Sequence, residues 1–139
     1  MANRPEEMEF YEEQYERVRA INEKAGEEAV VFDAHGSDMA EWYSHVGTVL
    51  STSDFESFHL TLADGVASGA DAVSLAWDGA DLIYPGSMLF ADVPEMVQGI
   101  RSEAARDKRI AEARACVRNF EDTAVFARFS QLVFVSDHE

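Results

Sequence analysis

Apolar positions near the start of the chain recur at helical spacing. Met8, Tyr11, Tyr15, Val18 and Ala25 form one stripe, widened by Phe10 and Ile21, which predicts a helix over residues 4–25. Asn3 can cap it, with Glu6 at capping-box spacing and Pro5 in the first turn. Gly26 is suited to end it. Ala29 to Phe32 is a short apolar run that reads as a buried strand, closed by Asp33-Ala34-His35-Gly36. Ser37 or Asp38 then opens a second helix carrying Met39, Trp42, Tyr43, Val46, Val49 and Leu50, although Gly47 weakens it. Residues 51–54 are a polar break.

Further on the period becomes two. Phe58, Leu60 and Leu62 alternate with His59 and Thr61, as in a strand, and a loop rich in Gly, Ser and Asp follows over 63–71. Val73, Leu75 and Trp77 alternate up to Asp78-Gly79, and Ala80, Leu82 and Tyr84 continue beyond. An Asp-Gly pair between alternating runs predicts a hairpin, because both turn residues need positive φ. Asp92 and Glu95 form a second capping box with Pro94 in the first turn. The helix they open is expected to reach residue 120, with Val93, Val97, Ile100, Ala104, Ala111 and Ala115 along its inward stripe. Ala124 to Val135, dense in Val and Phe, is expected to form one or two central strands.

The order α-β-α-β-β-β-α-β fits one α+β domain over 1–139. We expect a mostly antiparallel sheet of four to five strands, with the long C-terminal helix and two further helices packed on it. A hydrophobic share of 47% supports a real core, and no apolar run is long enough for a membrane span. The single cysteine, Cys116, excludes a disulfide-built scaffold, and a cytoplasmic protein is expected.

Charge changes the picture more than length does. The net charge is −16, and residues 25–100 hold thirteen acids and no lysine or arginine, while residues 101–139 are balanced at seven of each. Such a block cannot neutralise itself. Its carboxylates must face solvent, the basic C-terminal segment or an external positive surface, and they argue against direct nucleic-acid binding.

Candidate chemistry is sparse. Asp33, His35, Glu41 and His45, together with Asp38, are the most suggestive cluster for a divalent metal, and Glu41 and His45 share a helix face at i,i+4. His35, His45 or His59 could act in acid–base work. There is no nucleophile elbow, phosphate loop or Walker lysine, so no catalytic residue and no cofactor is assigned and a non-enzymatic role is favoured. Cys116 reads better as a small packed side chain than as a reactive thiol. The bases Arg101, Arg106, Lys108, Arg109, Arg114 and Arg118 form a strip that could meet the acidic block of a second copy in a homodimer.

The favoured expectation is a small acidic interaction or inhibitor module. It would dock carboxylates on a basic surface of a partner, one that itself binds nucleic acid. Phage inhibitors of restriction and CRISPR machinery offer an analogy of composition. The acids expected to carry docking are Glu27, Glu28, Asp33, Asp38, Glu41, Asp54, Glu56, Asp64, Asp71, Asp78 and Asp81. Two alternatives stand beside it: a halophile's ordinary domain, whose two lysines and surplus acids reflect salt adaptation, and a small metal-dependent enzyme using the Asp33–His45 cluster.

Overall fold

The computed structural model describes residues 5–34 and 36–134, which fall into two units, Met1–Ser37 and Asp38–Glu139. In the first unit the predicted helix is present as α1 (Pro5–Ala25), and Gly26 at φ +72° turns the chain back. The expected cap Asn3 lies outside the described residues. The expected strand over 29–32 does not form. Instead the Asn22 carboxamide takes both backbone groups of Val30, donating to its carbonyl and accepting from its N–H, each at 2.8 Å. A side chain thus supplies what a neighbouring strand would have given. Phe32 then meets Tyr15 edge to face at 4.7 Å between ring centroids.

The second unit is built on a parallel sheet, which overturns the antiparallel expectation. Among the described residues the sheet has three strands, β1 (Thr48–Ser51), β2 (Asp71–Leu75) and β3 (Leu89–Phe90), in that order and all parallel. Thr48 pairs with Asp71 at one end of the β1–β2 ladder and Ser51 with Ser74 at the other. Asp71 to Ser74 are all buried, so both faces of β2 are covered, as parallel sheets require.

The helices that cover it replace several expected strands. Asp38 caps α2 (Met39–Ser44) by accepting from the Glu41 N–H at 3.3 Å, but this helix stops early and Val49 and Leu50 belong to β1. The expected strand at 58–62 is the entry to α3 (Leu60–Ala67), where Leu62, Ala63, Gly65 and Val66 turn inward at helical spacing and Leu60 stays exposed. Gly65 lets α3 approach β1 so closely that any Cβ there would collide with Val49.

Asp78-Gly79 is a turn with Gly79 at φ +85°, but no hairpin follows it. Residues 80–82 and 86–88 wind as 3₁₀ turns and bring the chain to β3 running parallel to β2. The expected long helix is divided at Ser102 into α4 (Val93–Arg101) and α5 (Glu103–Val117). Half of its capping box forms as expected, with Glu95 N–H donating to Asp92 at 2.8 Å, while the Glu95 carboxylate accepts from the N–H of Ala91, one residue before the cap, at 2.8 Å. The inward positions are Met96, Arg109 and Ala113 rather than the expected valines and alanines. Finally, residues 124–134 of the segment expected to form strands belong to α6 (Asp122–Phe134), because Val125, Phe126, Phe129, Leu132 and Val133 repeat at helical spacing; Val135 lies outside the described residues.

The core joins Val49, Leu62, Val66, Ala72, Trp77, Tyr84, Met88 and Ala113. Among the described residues of the second unit, one ion pair is buried. Arg109 grips Asp71 in bidentate fashion, Nε to Oδ1 at 2.8 Å and Nη2 to Oδ2 at 2.5 Å, and also donates to the Gly99 carbonyl at 3.3 Å. Both side chains are almost fully removed from solvent.

Candidate functional site

In an open parallel sheet the loops leaving the carboxyl ends of the strands are where binding groups collect. Here they are residues 52–59 after β1 and 76–88 after β2. A framework of rings holds them. Trp77 stands 6.1 Å from Tyr84 and 5.8 Å from the His59 imidazole, and Phe58 packs on both Tyr84 and Phe120. The Tyr84 hydroxyl donates to the carbonyls of Phe58 and His59 at 3.0 and 3.1 Å, tying one loop to the other. Burial, with the Cys116 and Asp64 charges adding to it, pushes the Tyr84 hydroxyl up to about 12. Tyr84 is therefore a fixed donor at neutral pH.

His59 is the one residue other than glycine with positive φ among the described residues, at φ +60°. That conformation is strained for a residue with a Cβ, and such strain tends to gather at functional sites. Its Nε2 lies 2.6 Å from Ser51 Oγ and 3.8 Å from a Glu56 carboxylate oxygen. This is not a hydrolytic relay, in which the acid must hold the other ring nitrogen. Here serine and acid converge on the same nitrogen, and Ser51 is buried and also accepts from the Ser53 N–H at 3.3 Å. The trio fixes the loop.

What the loops present outward is acidic and apolar together. Asp54, Asp78 and Asp81 are exposed and Glu56 is half-buried, and between them stand Phe55 and Leu82, each 87% exposed. Glu27, Glu28, Asp33, Asp38, Glu41 and Asp64 are exposed as well. Asp71 is not. It lies in the core, paired with Arg109 of the basic segment, and so cannot be a docking acid.

The strip of bases is dispersed rather than continuous. Arg109 is buried, Arg106 donates to the Gly47 carbonyl at 3.4 Å and Lys108 pairs with Glu112 at 3.6 Å. Arg114 and Arg118 line a cleft of about 310 Å³ with Val66, Gly69, Val117 and Glu121. The cluster expected to hold a metal is not assembled among the described residues, where no group of three such ligands occurs, and His35 lies outside them. The His45 imidazole instead bonds the Glu41 carbonyl at 2.9 Å. Cys116 donates to the Ile83 carbonyl at 2.9 Å, and burial pushes its thiol up, away from the reactive thiolate. Among the described residues no helix is long and apolar enough to cross a membrane. No protein-family model matches the chain, and neither does any curated protein.

Proposed function

We propose that this chain is a cytoplasmic protein-interaction module that sets the acidic and apolar surface of loops 52–59 and 76–88 on a basic, nucleic-acid-binding face of a partner protein. The observation that carries this reading is the set of exposed carboxylates, Asp54, Asp78 and Asp81, standing beside exposed Phe55 and Leu82. Among the described residues no lysine or arginine pairs with those acids; there the acid partners of these bases lie elsewhere, in Arg17–Glu13, Lys108–Glu112 and Arg109–Asp71. Unanswered carboxylates steer a basic partner into place, and buried aromatic and aliphatic anchors supply most of the affinity once it arrives.

The test compares the wild type with a Asp54→Asn/Glu56→Gln/Asp78→Asn/Asp81→Asn variant as baits in extracts of the native cell. A basic protein held by the wild type, released by added duplex DNA and not held by the variant supports the proposal. Equal retention by both baits overturns it. So does a protein that unfolds at low salt and is steeply stabilised as salt rises, since screening alone would then account for the acidity.

A further inference from the structure

Among the described residues, helix α6 is apolar on one side and covered on neither. Phe126, Phe129 and Leu132 are 67%, 60% and 81% exposed, and Val125 and Val133 about half exposed. The main packing of α6 is on the 3₁₀ turn at 118–120 just before it. Thirteen residues is near the lower limit for a helix to persist in water without tertiary support. We propose that α6 is the interface of a homodimer, in which two copies of the helix pack antiparallel about a twofold axis through Phe129.

The order of side chains selects a second copy as the occupant. Val125-Phe126 and Leu132-Val133 lie symmetrically about Phe129. In an antiparallel pair, residues whose numbers share one sum face each other. Phe129 then meets the partner's Phe129, Phe126 meets the partner's Leu132 and Val125 meets the partner's Val133, which is the self-complementarity a twofold interface demands. Arg128 lies across from the partner's Ser130. A parallel pair would instead set Arg128 beside Arg128 and Asp122 beside Asp122, with like charges opposed. The five apolar side chains expose on the order of 500 Å² per copy, so pairing removes about 1,000 Å², the lower bound for a specific interface. This inference does not depend on the acidic-surface reading, which concerns other loops.

Light scattering on the full chain across a concentration series tests it. The expected result is twice the 15.5 kDa chain mass, persisting in high salt, with Phe129→Glu raising the dissociation constant about a hundredfold. Gln131→Glu, on the opposite face, should leave the dimer intact. Unfolding followed by tryptophan fluorescence, to which the core residue Trp77 contributes, shows whether Phe129→Glu retains its fold. In a Cys116→Ser background, Phe129→Cys alone should oxidise to a covalent dimer. Val125→Cys should cross-link only when mixed with Val133→Cys. A monomer at every concentration, a dimer indifferent to Phe129→Glu, or strong cross-linking of Val125→Cys by itself overturns the proposal.

Discussion

Removing one partner of the Asp71–Arg109 pair should be far more damaging than removing both. Each side chain is at most 2% exposed, and the carboxylate and guanidinium meet through two hydrogen bonds. At the effective dielectric that fits protein interiors, unit charges near 4 Å attract by about 4 kcal/mol, while taking each ion out of water costs several. The attraction and the desolvation therefore nearly cancel for the intact pair. In Asp71→Asn the guanidinium keeps its desolvation penalty and loses its counter-charge. In Arg109→Met the carboxylate does. Each single variant should lose about 3–5 kcal/mol, from a total on the order of 5–15 for a domain of this size. The double variant Asp71→Val/Arg109→Met buries no charge and should fall within about 1 kcal/mol of the wild type. Urea unfolding followed by tryptophan fluorescence, arranged as a double-mutant cycle, measures all four corners. Single variants losing under about 1 kcal/mol, or a double variant as unstable as the summed singles, would refute this account.

Three further outcomes follow from the same packing. Gly65→Ala should lose about 1–3 kcal/mol despite alanine's better helix propensity, because its Cβ meets Val49, and adding Val49→Ala should restore part of the loss in thermal unfolding. At position 59, glycine should be more stable than alanine by about 1 kcal/mol, since both lose the imidazole bond to Ser51 but only alanine keeps the strain of φ +60°; equal midpoints for the two variants would contradict it. Tyr84 titrates near 12 in the folded protein against 10.0 when unperturbed, so its contribution is complete below pH 10 and is lost as pH rises toward 12. The raised Cys116 thiol acts in the same direction. The urea midpoint should accordingly fall from about pH 9 upward and fall less steeply in Tyr84→Phe, whereas a flat wild-type profile would contradict the assignment.

The parts of this fold that were legible are those decided locally. The stripe of α1, the Asp38 cap of α2 and the Asp92–Glu95 capping box each follow from residues within a turn or two of one another. The strands were harder because their partners are distant. Phe58, Leu60 and Leu62 alternate by accident: Phe58 belongs to a ring cluster, Leu60 to the surface and Leu62 to the core side of α3. Gly65 and Gly69 made that segment look like loop, although Leu62, Ala63 and Val66 already carried a helical period. The β-prone composition of 124–134 hid the helical spacing of its valines and phenylalanines in the same way. As for the surface, exposure of the acids was legible as a class, but Asp71 looks like any other acid until β2 is known to be central. One signal was present: Arg109 stands four residues before buried Ala113, on the inward stripe of α5.

That pairing also governs when the second unit can fold during synthesis. All three strands lie between residues 48 and 90, and a growing chain holding them has the whole sheet in hand. Yet the carboxylate at the start of the central strand has its counter-charge 38 residues later, on α5. Until Arg109 emerges, closing the sheet would strand a bare charge in an apolar interior, so nascent β1, α3 and β2 are expected to stay open. A long-range electrostatic latch of this kind defers folding until α5 has been made, and a fragment ending after α4 is expected to be open to chaperones and proteases rather than to form a smaller domain.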